Sequence, residues 1–162
     1  MLAAIISDTH LPRGARKIPA ACVKRLCAAD LIVHAGDLTT LAVLEELRGY
    51  GKVEAVRGNV DEDSLRMTLP AQLELDLGGR RVGVIHDGGR RGTRLERLRR
   101  TFPDADAVIF GHSHIPLHET DADGFQIFNP GSATDRRRSP RHTMGLARAA
   151  RSQLSFELID LD

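Results

Sequence analysis

Leu2-Ala3-Ala4-Ile5-Ile6-Ser7-Asp8-Thr9-His10 opens as an unbroken apolar run and ends in a carboxylate and an imidazole two residues apart. Such a run without polar alternation reads as a strand buried on both faces. The device recurs along the chain. Leu31-Ile32-Val33 leads to Gly36-Asp37, Val53 to Val56 leads to Gly58-Asn59-Val60-Asp61, and Ala107 to Phe110 leads to Gly111-His112-Ser113-His114. A further histidine, His86, ends the stretch from Arg81. Carboxylates, an amide and imidazoles are thus delivered to the ends of successive strands. Hard oxygen donors mixed with imidazoles in that position are the makings of a two-metal hydrolytic site.

Between the early strands the pattern turns helical. Pro19 opens a helix over Ala20 to Ala29 with Val23 and Leu26 on one face. Thr39 or Thr40 caps a second through Arg48, with Leu41, Leu44 and Leu47 as its buried stripe. Strand, helix, strand, helix, strand predicts parallel strands with covering helices. The second half reads differently. Leu73, Leu75 and Leu77 alternate with polar residues, Gly78-Gly79 turns the chain, and Arg81 to His86 returns it, a hairpin signature. A basic helix is predicted over Thr93 to Arg100 with Leu95 and Leu98 inward. Ile115 to Glu119 and Phe125 to Phe128 form a hairpin around Asp121 to Gly124. Met144 to Ala149 and Leu154 to Leu161 form the last, turning near Arg151-Ser152. Two sheets packed face to face, with helices outside both, fit this order. A single domain over residues 1–162 is expected.

Composition narrows the class. Aromatic residues are 4% of the chain, with no Trp and one Tyr, so the core must be aliphatic. No apolar run approaches the roughly 20 residues that span a bilayer. The first residues run into Asp8 without a basic leader, so a cytoplasmic protein is expected. Cys22 and Cys27 lie in a helical pattern with no second pair to complete a zinc cage, and read as buried or half-buried free thiols. The formal charge is only +1, yet arginines crowd Arg90 to Arg100 and Arg136-Arg137-Arg138 with Arg141. They suit surface or subunit contacts, or an anionic substrate. A nucleic-acid groove would want interleaved aromatics, which are few.

Asp8 and His10 can turn toward one ion from the end of the first strand. Asp37, alone after its glycine, is the best candidate to bridge two ions, because only a shared group holds such ions about 3.5–4 Å apart. Asn59 offers a neutral amide oxygen, and His86, His112 and His114 offer imidazoles. This mixed N/O set suits Mn²⁺, Fe²⁺ or Zn²⁺, whereas Mg²⁺ alone would prefer oxygen ligands. His34, His118 and His142 read as structural or surface residues. Asp61 either orients a ligand or caps its turn, and Ser7 lacks a base spaced to make it a nucleophile.

In this order, Asp-x-His, Gly-Asp, Gly-Asn, a middle His and Gly-His-x-His are the motifs by which the chain resembles the calcineurin-like metallophosphoesterases. With Asn129-Pro130-Gly131-Ser132 and the short length, they look like the small prokaryotic phosphodiesterase branch, to which the retromer subunit of this fold also belongs. The resemblance implies a four-layer α/β/β/α sandwich of two mixed sheets flanked by helices, in agreement with the layout. It assigns one metal to Asp8, His10, Asp37 and His114, and the other to Asp37, Asn59, His86 and His112, these seven being the candidate catalytic residues. Two divalent ions are implied, Mn²⁺ foremost, with Fe²⁺, Zn²⁺, Ni²⁺ or Mg²⁺ as alternatives. The implied activity is hydrolysis of a small phosphoester, foremost a phosphodiester, by in-line attack of a water or hydroxide shared by the two ions. The alternatives are a binding or scaffold protein that keeps the fold, and then a nuclease. Neither a membrane nor nucleic acid is expected as partner, and a homodimer or higher homo-oligomer stays open.

Two positions depart from the pattern. Larger relatives carry a histidine after the Gly-Asn pair and the small branch a cysteine, where this chain has Val60, which cannot protonate a leaving group. Asp87-Gly88 follows His86 where the branch reads Gly-His. The Val60 departure favours good leaving groups, such as aryl phosphates or diesters. Arg13 and Arg16 follow the first motif and would reach either a phosphate or solvent.

Overall fold

The computed structural model describes residues 1–151 and 153–162. Ten strands and four helices follow the order β1 (Leu2–Ile6), α1 (Ala20–Ala28), β2 (Leu31–His34), α2 (Leu41–Arg48), β3 (Val53–Ala55), α3 (Asp63–Thr68), β4 (Gln72–Leu77), β5 (Arg80–Ile85), α4 (Arg94–Thr101), β6 (Ala107–Ile109), β7 (Leu117–Thr120), β8 (Gln126–Asn129), β9 (Thr143–Ala150) and β10 (Gln153–Asp160). One sheet has the order β10-β9-β1-β2-β3 and the other β4-β5-β6-β8-β7. Both are mixed. β1, β2 and β3 run parallel, as do β5, β6 and β8, while β9, β10, β4 and β7 pair antiparallel.

The apolar run of β1 is explained by its two covered faces. Ala3 and Ile5 enter the core between the sheets, together with Leu31 and Val33 of β2, Val82 and Val84 of β5, and Phe128 of β8. Ala4 and Ile6 point the other way, against Cys22 and Leu26 of α1 and Val43, Leu44 and Leu47 of α2. Each fully buried Val, Leu, Ile or Phe side chain among them contributes about 1.5–3 kcal/mol. On the far side of the second sheet, Val108, Phe110 and Ile127 pack with Leu98 and Phe102. The result is the four-layer α/β/β/α sandwich.

Some expectations are corrected. Leu41 is 37% exposed, and Val43 takes its place in the buried stripe of α2, because the helix begins at Leu41 and its first turn faces solvent. Pro19 stands before the first helical residue and accepts the amide N–H groups of Cys22 and Val23 through its carbonyl. Cys22 is buried, which pushes its thiol up to about 12, but Cys27 is exposed. The short helix α3 was not expected. The last hairpin returns to β1 and completes the first sheet; of its expected turn at Arg151-Ser152, Ser152 lies outside the described residues. No helix among the described residues is long and apolar enough to cross a membrane.

What matters for the site is that parallel strands end together. Ile6 pairs with His34, and His34 with Ala55, so the loops after β1, β2 and β3 leave from one edge. Val84 pairs with Ile109, which brings out the loops after β5 and β6 likewise. Pairing continues into those loops: Asp8 N–H donates to Gly36 O at 3.0 Å and Gly111 N–H to His86 O at 2.9 Å.

Candidate metal centre

The backbone at the strand ends has an unusual conformation. Asp8, His10, Asp37, His112 and His114 all have positive φ, between 48° and 68°. Left-handed backbone is uncommon outside glycine, although Asp and His adopt it more readily than most residues. Asp8 and His10 therefore do not share a face as strand residues would. Each is turned inward by its own backbone, and the same holds for His112 and His114.

All seven candidate residues come together. Asp8, His10 and His114 form one group and Asp37, His86 and His112 another, each with its ligand atoms within 4.8 Å of one another. In the first, His10 Nε2 lies 3.2 Å from His114 Nε2, which lies 3.5 Å from Asp8 Oδ1. In the second, Asn59 Oδ1 is 3.0 Å from both His86 Nε2 and His112 Nδ1. Asp37 Oδ2 joins the two, 3.5 Å from His10 Nε2 and 3.3 Å from His86 Nε2. Asp8 and His114 are fully buried, whereas Asn59 and His112 are exposed and leave one side open.

The tautomers show what this arrangement can hold. His86 Nδ1–H donates to Ala35 O at 2.8 Å, and His114 Nδ1–H donates to Asp135 O. Each Nε2 then presents a lone pair to carboxylate, amide or imidazole acceptors. Converging lone pairs repel unless a proton or a cation lies among them. Two imidazoles and a carboxylate per group, with one shared carboxylate oxygen, fit a pair of divalent cations that accept mixed N/O ligands.

Supporting contacts position the donors. Ser7 Oγ donates to Asp8 Oδ2 at 2.7 Å, and the His112 N–H donates to the same carboxylate. Val60 contributes through its backbone, donating N–H to Asp37 Oδ1 at 3.0 Å, while its side chain is exposed. His34 is buried and structural: its Nδ1 accepts Gly36 N–H, leaving Nε2–H for Thr9 Oγ1 at 3.2 Å. Burial holds its pKa down at about 3, so it stays neutral. Asp61 caps loops, accepting Thr39 N–H at 2.7 Å and Gly58 N–H at 2.6 Å. Asn129 donates to Gly111 O, and Ser132 Oγ donates to Asp8 O, so the loop after β8 braces both halves of the site. Asp87 accepts the N–H of Gly89 in a local turn, and Gly88 is buried where a Cβ would meet the Phe110 ring at 2.5 Å.

The arginine clusters divide. Arg94 lies over Phe110 and bonds Gly89 O, Arg97 bonds Asp87 O, and Arg99 pairs with Asp121. Arg141 pairs with Asp160, and Arg16 pairs with Asp135 at 3.1 Å. These are structural surface contacts. Arg13 and Arg137 instead border the site, where their charges help burial to keep His10 neutral.

Burial raises Asp8 to about 7 in the metal-free protein. Burial also opposes charge on Asp37 and His86. Their mutual attraction outweighs it, holding Asp37 down at about 2 and raising His86. Protons on Asp8 and His86 must leave before a cation can take their lone pairs. Mn²⁺ uptake is therefore expected to tighten as pH rises toward and past 7. It should release more protons at about pH 6 than at about pH 8, because Asp8 titrates between them. Calorimetry in two buffers of different ionisation heat measures that count, and a pH-independent count would exclude Asp8 as a ligand.

A family model for the calcineurin-like phosphoesterase superfamily domain matches residues 1–152. The chain belongs to the calcineurin-like phosphoesterase superfamily. A probable metallophosphoesterase of Methanocaldococcus jannaschii is 38% identical over 137 residues, covering 83% of this chain and 69% of that protein. A second, from Methanothermobacter thermautotrophicus, is 37% identical over 136 residues, covering 83% and 78%. The crystal structure of wild-type Vps29 from Entamoeba histolytica complexed with Zn²⁺ superposes with a TM-score of 0.79 at 24% identity, covering all of both chains. This calcineurin-like fold thus occurs both in probable phosphoesterases and in Vps29.

His118 offers a control. It is exposed, bonds Gln126 and places its ring edge against Phe128 and Phe156, away from both donor groups. His118→Ala is expected to leave Mn²⁺ uptake unchanged and to cost about 1 kcal/mol or less in stability. Abolished metal uptake in that variant would overturn the ligand assignment.

Proposed function

We propose that this chain, acting as one domain over residues 1–162, is a metal-dependent phosphodiesterase of small phosphoester substrates. Asp8, His10, Asp37 and His114 would hold one ion, and Asp37, Asn59, His86 and His112 the other, with Mn²⁺ the favoured metal. The observation that carries this reading is Asp37 Oδ2, placed between His10 Nε2 and His86 Nε2 where the two donor groups meet. When bound, divalent cations there supply Lewis acidity toward a phosphoryl oxygen and lower the pKa of an attacking water.

The protein's own residues account for the rest. The Ser7 hydroxyl and the His112 amide hold Asp8, and the Val60 amide holds Asp37, so the carboxylates are fixed before any substrate arrives. The exposed edge at Asn59 and His112 is the approach for substrate. The Val60 side chain has no proton to give, so substrates with good leaving groups, such as aryl phosphates or diesters, are favoured over unactivated alkyl ones.

The test is turnover of bis(4-nitrophenyl) phosphate by chelator-treated protein with Mn²⁺ restored. Metal-dependent release of 4-nitrophenol is expected. A chain that takes up two ions and releases none would be a binding protein instead.

A further inference from the structure

Beside the metal centre lies a cleft of about 220 Å³ lined by His10, Pro12, Arg13, Thr39, Val60 and Arg137. His10 belongs to both features, so anything filling the cleft adjoins the reacting group. Its charged members come from two separate segments. Arg13 lies on the loop after β1, is exposed, and among the described residues has no carboxylate within ion-pair distance. Arg137 lies on the loop after β8. Its nearest acid, Asp135, is held by Arg16 at 3.1 Å and stands 3.8 Å from Arg137 Nε. Neither guanidinium is neutralised at close range.

Arg137 also has a φ of 46°. A bulky residue in left-handed backbone is strained, and its loose 3.8 Å ion pair with Asp135 does little to offset that. Strain of this kind is concentrated at functional sites. Two residues earlier, the Asp135 carbonyl accepts the His114 Nδ1–H, so the segment carrying Arg137 is tied to the metal centre. Pro12 and Val60 supply apolar contact for carbon atoms between the centre and the guanidiniums.

One unpaired guanidinium and one only loosely paired, at the border of a small cleft, suit a dianion, and a terminal phosphate is a dianion that arginine binds with bidentate geometry. We propose that Arg13 and Arg137 hold a second phosphate, carried on one arm of the scissile diester. The substrates are then small diesters bearing a terminal phosphate. This rests on the phosphodiesterase reading for the reaction, but the subsite itself is testable by binding.

The probes are propane-1,3-diphosphonate and propylphosphonate, neither of which can be hydrolysed at its C–P bonds. They are titrated calorimetrically into Mn²⁺-loaded protein. The wild type is expected to prefer the diphosphonate by about tenfold or more. Arg13→Ala and Arg137→Gly should each cut that preference several-fold, and together remove it. Glycine accepts the left-handed backbone, and thermal melts verify the fold; if Arg137→Gly fails to fold, Arg13→Ala alone decides. Arg25→Ala, on α1, should keep the preference. Equal affinity of the wild type for both probes, or an undiminished preference in the variants, overturns the proposal. A chain that shows the arginine-dependent preference but hydrolyses no diester keeps the subsite and loses the enzymatic reading. Hydrolysis without the preference does the reverse.

Discussion

Asp37→Asn is expected to remove at least one of two bound divalent ions and nearly all turnover, with the fold retained. The carboxylate lies within 3.5 Å of imidazole nitrogens from both donor groups, so its loss weakens both together. Removing a single preorganised electrostatic stabiliser costs about 10²–10³-fold in kcat, and Asp37 should reach the upper end because it serves two ions. The amide keeps the shape, and its oxygen can still accept the Val60 N–H now bound by Asp37 Oδ1. It loses the negative charge that raises His86. Metal content by mass spectrometry, kcat with bis(4-nitrophenyl) phosphate and a thermal melt separate the effects. Two ions per chain with undiminished turnover would remove Asp37 from its assigned place.

The parts of this fold that were legible in sequence are those where one physical cause acts locally. β1 and β2 are covered on both faces, so their side chains had to be apolar without interruption. The donors after them stood out because polar chemistry follows an apolar run so abruptly. α3 was missed because it has six residues and only Leu65 buried, too little for a periodic signal. The return of β9 to β1 joins residues more than a hundred positions apart, and no local pattern encodes that. Within the site, residue types were readable but backbone was not. Spacing placed Asp8 and His10 at a strand end from which both could turn toward one ion, but not the left-handed φ by which each turns inward. Nor does Asp61 announce in sequence that it clamps Thr39 to Gly58, since both donors are backbone amides. Val60 illustrates the same limit: its side chain marks a departure from the family pattern, yet its amide is what reaches Asp37.

The glycine of the last motif yields the second large effect. Gly111→Ala is expected to destabilise the protein and to abolish metal uptake in the group containing Asp8. An added Cβ would lie 1.9 Å from Ser7 Oγ and 2.8 Å from Asp8 Oδ2. Real Cβ atoms do not approach so closely, so either β6 and its loop withdraw or Ser7 and Asp8 turn away. The first response moves the His112 amide that holds Asp8, and with it His112 and His114. The second breaks the Ser7–Asp8 hydrogen bond and redirects the carboxylate. Overpacking of this kind costs about 1–3 kcal/mol, visible as a lowered melting temperature, whereas an exposed glycine with open space around it, such as Gly92, should tolerate alanine. Ser7→Ala in the same chain removes the 1.9 Å contact but leaves that with Asp8, so it should restore part of the stability and little of the metal uptake. That coupling distinguishes a steric cause from a general loss of loop order, which Ser7→Ala would not relieve. Independent, additive effects of the two substitutions would show that the close approach of Gly111 to Ser7 does not shape the site.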